Sequence, residues 1–427
     1  ELFPRSENHE KGASLIEVID KTRTPMGARL LRQWLVMPLR SRTAIEERHN
    51  VISSLLEQWE LAGKLGKLLS QTGDMERIVS RAAAGRITPR EVAQLRTGLK
   101  QASRIKTLIQ QIPSEDPVHE LAAGLDHCTA LTDKLQHMIV PSPAAQPGKG
   151  QVIAPGVDPQ LDELRHILSH NKDYLQQMQQ QAAGQTGISS LKIGFNNVFG
   201  YYIEVRNTHK DKVPASWIRK QTLVNAERYI TEELKSYEEK ILGAEEKIAQ
   251  IEQDLFNQVV EAIRATIPPI QQNARILARL DCLVGFAILA REQKYARPRM
   301  QDDDVIDIRQ GRHPVLETLM PPGEAYVPND VYLDSGGQQI IILTGPNMAG
   351  KSALLRQTGL IMLLAQIGSY VPAKEASLGI IDKLFTRVGA SDNIARREST
   401  FMVEMLESAA ILNNVTDRSL VLFDEIG

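Results

Sequence analysis

The sequence predicts a multidomain chain of α and α+β character: a helical core, a pair of coiled-coil-like arms with a β-rich module between them, and an α/β segment beyond. Three observations carry this expectation. Apolar residues recur at helical spacing through the first third of the chain, two heptad runs bracket a stretch of strand-like alternation, and past Asp304 short apolar runs alternate with glycine-rich loops. With 427 residues, 42% of them apolar, the chain can bury several cores, about three at ~150 residues each.

Within residues 14–138, Leu30, Leu31, Trp34 and Leu35 share one helical stripe and Ile45, Ile52, Leu55 and Leu56 another, as expected of amphipathic helices packed into a platform. The stretch VPSPAAQPGKGQVIAPG, residues 140–156, is dense in Pro and Gly and is expected to be an irregular connection at a domain boundary. Leu161, Leu164, Leu168, Leu175 and Met178 then alternate spacings of three and four, with Asn171 in a polar seam position, which makes a short first arm. Ile230, Leu234, Tyr237, Ile241, Ala244, Ile248, Ile251 and Leu255 keep the alternation without a break and make the second. Between the arms, Ile193, Phe195, Tyr201, Ile203 and Val205 alternate as strands do around Asn196, Asn197 and Gly200, which suit a turn. Arg206, Lys210, Lys212, Arg219 and Lys220 follow, opposed within the segment by Asp211 alone. A solvated loop is the plain reading of such a run. A basic tip carried on two arms also suits the phosphate backbone of double-stranded DNA, gripped without regard to sequence.

Composition narrows the alternatives. Lys and Arg number 50 against 52 Asp and Glu, so the whole-chain field cannot steer a polyanion and any nucleic-acid contact must be local. Cys128 and Cys282 stand far apart with no His cluster beside them, which speaks against a disulfide framework or a structural zinc site. There is no apolar run of ~18 residues and no charged-then-apolar leader, so no membrane partner is expected and a cytoplasmic location is. The chain opens on Glu1 within a polar stretch, and sequence upstream is expected to have been removed.

Residues 339–343, QIIIL, read as a buried strand that delivers GPNMAGKS: Gly345, Pro346, Asn347, Met348, Ala349, Gly350, Lys351 and Ser352. An apolar helix over 353–367 completes the strand, loop and helix of a phosphate-binding loop. Gly345 and Gly350 let backbone N–H groups wrap a β-phosphate, Lys351 places its charge on the β and γ oxygens, and Ser352 offers a hydroxyl to Mg²⁺. Residues 419–423, SLVLF, read as a second buried strand ending at Asp424 and Glu425, the place for a metal-holding Asp and a Glu that polarises the attacking water. ATP with Mg²⁺ is the cofactor pair these residues call for.

Several stretches together, DKTRTPMGARLLRQWLVMPL, GYYIEV, NAERYITEELKSYEEKILGAEEKI, GRHPVLE, TGPNMAGKSALLRQTGLIMLLAQIGSYVPA, FTRVGASDNI, STFMVEM and LVLFDEIG, resemble the bacterial MutS family of DNA mismatch-repair ATPases over nearly the whole chain. The resemblance implies a helical core over residues 1–155, a lever helix over 156–185, a DNA clamp over 186–226, a returning lever over 227–265, and an ABC-type P-loop ATPase domain over 266–427 that stops just after its acidic pair. It also implies that Gly345, Asn347, Gly350, Lys351 and Ser352 hold nucleotide and metal, that Asp424 holds the metal and that Glu425 is the catalytic residue. Tyr326 matches an adenine-stacking aromatic, and Ser399 with Thr400 matches a signature segment that reaches the partner's γ-phosphate in a homodimer. A sliding clamp switched by ATP, a downstream factor of the MutL type and a nucleoid-associated, cytoplasmic setting follow by the same likeness. Two departures stand out: Arg396, Arg397 and Glu398 precede Ser399 where the family carries a small residue and then Gly, and the family's N-terminal mismatch-reading domain, which carries its Phe-x-Glu wedge, and its connector domain have no counterpart in this sequence. Two other readings share part of the pattern: a MutS paralogue acting in recombination control, and a nucleotide-gated DNA-binding module without catalysis.

Overall fold

The computed structural model describes residues 2–4, 14–196, 198, 200–321, 323–346, 349–388 and 400–424. They fall into two compact units, one of residues 1–77, 97–128 and 268–427 and one of residues 78–96 and 129–267. In chain order the elements are α1 (Leu15–Ile19), α2 (Pro25–Val36), α3 (Arg42–Glu57), α4 (Trp59–Leu69), α5 (Met75–Ala83), α6 (Pro89–Ile109), α7 (Pro117–Ala122), α8 (Thr129–Met138), α9 (Pro159–Ser169) and α10 (Asn171–Thr186). Next come β1 (Lys192–Asn196), β2 (Gly200–Arg206), β3 (Ile218–Thr222), β4 (Ala226–Ile230), α11 (Glu232–Ala265) and α12 (Ile267–Glu292). The chain continues through β5 (Arg299–Gln301), β6 (Ile306–Gly311), α13 (Pro314–Leu319), β7 (Asn329–Leu333), α14 (Lys351–Gln366), β8 (Glu375–Gly379), β9 (Lys383–Val388), α15 (Thr400–Asn414) and β10 (Ser419–Asp424).

In the first unit the helices start where the sequence supplies caps. Thr24 accepts a hydrogen bond from Gly27 N and Pro25 occupies the first helical position of α2, so one orphan donor is satisfied and the other never existed. Asp281 of α12, fully buried, accepts from Thr24 N at 2.8 Å, Thr24 Oγ1 at 2.7 Å and Arg23 N at 2.9 Å, which fixes the entry to α2 on the next layer. Its two sheets are a mixed one in the order β5-β8-β6-β7 and a parallel pair of β9 and β10. Residues 339–343 are not part of either ladder, and Ile340 and Ile342 are 78% and 83% exposed where the sequence pattern predicts a buried strand. A strand of a parallel sheet needs a ladder on its edge and cover on both faces before its apolar run counts as burial. Among the described residues β9 and β10 pair only with each other, and the run has neither.

In the second unit α9 and α11 lie side by side, and the antiparallel sheet β1-β2-β4-β3 sits between α10 and α11 in sequence. Asp158 caps α9, accepting from Leu161 N at 2.8 Å, and Thr231 caps the 34-residue α11 by accepting from Leu234 N at 3.1 Å. The Pro- and Gly-rich segment 140–156 lies inside this unit, clipped onto α11 by Glu252. That buried carboxylate accepts from Gly148 N at 2.8 Å, Val152 N at 3.1 Å and Arg165 Nη2 at 2.6 Å. The first arm is two helices rather than one. His170 sits at φ −93°, ψ 8° between α9 and α10, and Ser169 Oγ bonds back to His166 O at 2.8 Å. Serine at this point competes for backbone carbonyls, which interrupts the rod. At the other end Gly187 takes φ 67° to cap α10, a left-handed conformation that costs glycine nothing.

Candidate nucleotide site and nucleic-acid interface

The candidate phosphate loop runs into the start of α14 at Gly350. Gly350 caps the helix at φ 92°, ψ 9°, a conformation a side chain would strain, and the first N–H groups of α14 face outward from it. Lys351 folds back over the loop, its Nζ donating to Gly345 O at 2.8 Å, so the ammonium is held above the turn that a phosphate would fill. Ser352, partly exposed, is in the first turn of α14, and Ala349 N closes the turn by donating to Pro346 O at 3.3 Å. Asn347 and Met348 lie outside the described residues.

The helix behind the loop is apolar because it is covered. Ile361, Met362 and Leu364 are fully buried, and at Gly359 the helix comes so close to β10 that an added Cβ would sit 2.9 Å from Leu422 Cδ1. Leu420 and Leu422 face α14 from β10, whose last described residue is Asp424, in register with Val388 at the end of β9. The carboxylate proposed for the metal is thus at the C-terminal end of a strand packed on the phosphate-loop helix. Glu425 and Ser399 lie outside the described residues, as do Arg396, Arg397 and Glu398.

Two residues that the sequence patterns pass over order this site. Gln357, buried on α14, accepts from Tyr326 Oη at 2.9 Å, which ties the candidate adenine-stacking ring to the phosphate-loop helix; burial raises that phenol's pKa. Among the described residues Gln357 Nε2 has no hydrogen-bond partner, and Gly311 makes room for it, since a Cβ there would meet Nε2 at 2.6 Å. A polar residue on the inner face of an otherwise apolar helix is the signal that finds it. Arg387 of β9 is 6% exposed and pairs with Glu407 of α15 at 2.9 Å and Glu404 at 3.8 Å. It pins the first two turns of the helix that follows the signature segment. Nearby, His313 accepts from Val315 N and Leu316 N at the start of α13, and burial lowers its pKa to about 4.

In the second unit the five basic residues lie on one sheet and the turn beside it. Arg206 ends β2, Lys210 and Lys212 lie on a 3₁₀ turn over Asn207–Lys212, and Arg219 and Lys220 lie on β3; all five are exposed. The charge count differs from the linear reading in one place. β4 brings Glu227 beside these residues, where it accepts from Tyr229 Oη and pairs with Arg219 at 3.2 Å, and the tyrosine hydrogen bond first and Arg219 second lower its pKa. Among the described residues Arg206, Lys210, Lys212 and Lys220 make no salt bridge. The sheet that presents them rests on Met178, Ile188, Leu191, Ile203, Val205, Tyr229 and Leu234, all buried, with Trp217 packed against them. Apolar Val198 and Val224 stand exposed at turns of the same sheet.

Among the described residues no group of three or more His, Cys, Asp or Glu side chains is arranged to hold a metal, and no helix is long and apolar enough to cross a membrane. Cys282 is buried and bonds to Gly27 O at 3.3 Å, and burial pushes the Cys128 thiol up to about 12, so both thiols are inert.

Comparison with known proteins finds two family models that match this chain. Residues 1–287 match the family model for MutS domain III, and residues 341–427 match that for MutS domain V. The chain is 57% identical over 419 residues to the DNA mismatch repair protein MutS of Parabacteroides distasonis, covering 98% of this chain and 48% of that protein. It is 57% identical over the same length to the namesake of Bacteroides thetaiotaomicron and 55% identical over 414 residues to that of Flavobacterium psychrophilum, again covering 48% of each. The chain therefore spans about half the length of the curated relatives it matches.

Proposed function

This chain belongs to the MutS family, and on that premise we propose that it supplies the arms, the clamp and the nucleotide-binding portion of a DNA mismatch-repair ATPase. Residues 1–155 act as the helical core, 156–185 and 227–265 as the two levers, 186–226 as the clamp, and 266–427 as part of an ABC-type ATPase domain. The observation that carries the reading is the phosphate loop: Gly350 left-handed at the head of α14, with Lys351 Nζ held over Gly345 O. Its donor set fits a magnesium nucleotide, because backbone N–H groups and one ammonium meet the phosphates while a hydroxyl and a carboxylate suit a hard cation. The N–H groups from Gly345 to Gly350, including those of Pro346's neighbours Asn347, Met348 and Ala349, cradle the phosphates. Lys351 neutralises them, Ser352 and Asp424 hold Mg²⁺, Tyr326 stacks on the base, and Glu425 takes the proton of the attacking water. Bound ATP supplies the energy that switches the clamp.

Arg206, Lys210, Lys212 and Lys220 grip the backbone of double-stranded DNA, with Arg219 beside them held in part by Glu227, and discrimination of a mismatch is not made by this chain's residues. Ser399 of one protomer completes the nucleotide site of its partner in a homodimer, which couples nucleotide binding to clamp closure, and a MutL-type factor reads the closed state in the cytoplasm. One observation favours a second reading, a nucleotide-gated clamp that does not turn over: residues 339–343, which feed the phosphate loop, stand outside the β9-β10 ladder.

The test titrates labelled homoduplex and mismatched DNA with this chain at two salt concentrations, with and without ATP and Mg²⁺, and follows phosphate release in parallel. Binding that weakens with salt, ignores the mismatch and changes with ATP is the expected result. Preference for the mismatch sinks the division of labour, no binding under any condition sinks the clamp, and an ATP response without phosphate release selects the second reading.

A further inference from the structure

The junction of α9 and α10 carries a pair of side chains that neither the nucleotide site nor the clamp uses. His166 lies in the last turn of α9, and His170 is the residue on which the arm breaks, four positions on and so one turn along the same face. Both are exposed, and their rings lie with centroids 4.0 Å apart at an interplanar angle of 31°. Two imidazole nitrogens on one tetrahedral ion, each ~2.0–2.1 Å from it, stand about 3.3 Å apart, so the two rings already have the spacing of a chelating pair.

The hydrogen bonds around His170 fix which of its nitrogens is free. Nδ1 lies 2.9 Å from the carbonyl oxygen of His166, which only accepts, so in the neutral ring the proton is on Nδ1. Ser169 Oγ, 3.1 Å from the same nitrogen, gives its own proton to that carbonyl at 2.8 Å and therefore also accepts from Nδ1. Nε2 of His170 is left as the bare lone pair. A metal-bound histidine ordinarily donates from one nitrogen to a carbonyl and keeps the other for the ion, because the hydrogen bond sets both tautomer and ring orientation. Among the described residues the His166 ring makes no hydrogen bond, so it turns toward the same point at no cost in lost partners.

We propose that His166 and His170 form a two-imidazole site for a late divalent transition ion, of the class of Zn²⁺, Cu²⁺ and Ni²⁺. Imidazole nitrogen suits those ions, whereas Mg²⁺ and Ca²⁺ take oxygen. Among the described residues no group of three or more His, Cys, Asp or Glu is arranged around an ion, so water fills the remaining positions and the ion comes and goes with its concentration. The pair spans the break, with one ligand inside α9, the other on the residue that ends it, and Ser169 between them. A bound ion holds their one-turn spacing across the point where the serine competes for the backbone carbonyl, and so stiffens the arm.

The experiment uses the full chain without nucleotide. Zn²⁺ is titrated by calorimetry, Cu²⁺ is followed by electron paramagnetic resonance, which counts the nitrogens on the ion, and Mg²⁺ is the hard-cation control. Zn²⁺ is expected to bind undisturbed by equimolar Mg²⁺, and Cu²⁺ to show two imidazole nitrogens. His166→Gln and His170→Gln, both exposed changes, are each expected to weaken Zn²⁺ by roughly tenfold or more at an unchanged melting temperature, since even a partner that merely orients a metal-bound histidine is worth that much. Amide exchange over residues 167–174 is expected to slow with Zn²⁺ in the parent chain and not in His170→Gln. Zn²⁺ affinity that survives both substitutions places the ion on other histidines and overturns the proposal, as does a single bound nitrogen or displacement by Mg²⁺. Exchange that bound Zn²⁺ leaves unchanged overturns the stiffening. The copper spectrum and the exchange are read on the unsubstituted chain, so a variant that folds poorly cannot mask the answer.

Discussion

His49 and His313 are held neutral by burial, both at about 4 against an ordinary 6.5. Above pH 6.5 neither the native nor the unfolded chain protonates these rings. Between 6.5 and 4 the unfolded chain takes up protons that the native chain refuses, so stability is lost as pH falls through that window and no further below it. Each ring contributes about 3 kcal/mol to that loss by linkage. Urea midpoints at pH 7.5 and 4.5 measure it, and His313→Asn, which keeps a capping acceptor for Val315 N and Leu316 N, is expected to remove about half of the two-ring slope. An unchanged slope in that variant would mean that the ring takes up its proton over the same pH range in the native and unfolded chains. Lys351 presents the opposite case, a partly exposed charge whose one described bond is to Gly345 O. Lys351→Ala is expected to leave the melting temperature where it is and to weaken ATP by roughly 10- to 100-fold, read by titration of a fluorescent nucleotide.

At the scale of elements, the clamp sheet stands on a small core of its own. Ile203 is buried at its centre, and Ile203→Ala is expected to cost roughly 2–4 kcal/mol. Hydrogen exchange should show the loss in β1 to β4 and leave α2 and α3 protected; uniform deprotection would mean that the sheet is not a separate cooperative unit. The same comparison explains which elements sequence alone could name. α14, β10 and the strands around Gly200 were legible because each satisfies its pattern locally, by a glycine where φ is positive or by alternation over a buried face. The break at His170 was not, since heptad spacing continues through it and only backbone competition at Ser169 reveals it. Residues 339–343 misled because an apolar run reads as buried whatever its neighbours do, and a ladder is a property of two segments. Gln357 and Arg387 escaped for a related reason: their partners, Tyr326 and Glu404 with Glu407, are distant in sequence and carry no motif.

Across the whole molecule the net charge is −2, so affinity for a polyanion has to come from the way charge is distributed, and the distribution makes a quantitative claim. Four cations of the clamp, Arg206, Lys210, Lys212 and Lys220, are exposed without a salt bridge among the described residues, while Arg219 is engaged by Glu227. If each of the four releases one counterion, the logarithm of the DNA affinity falls with the logarithm of salt at a slope of about −4 per clamp engaged. Lys210→Gln together with Lys212→Gln removes two contacts and should flatten the slope by about 2, with no change in how sequence or mismatch is treated. Glu227→Gln works in the other direction. It frees Arg219 while keeping an acceptor for Tyr229 Oη, so the slope should steepen by about 1 and low-salt affinity should rise. A plain solvated loop predicts none of this, because its cations never meet phosphate and neither substitution would move the slope. Measuring the three slopes on one duplex therefore separates a clamp from a charged surface by sign as well as by size.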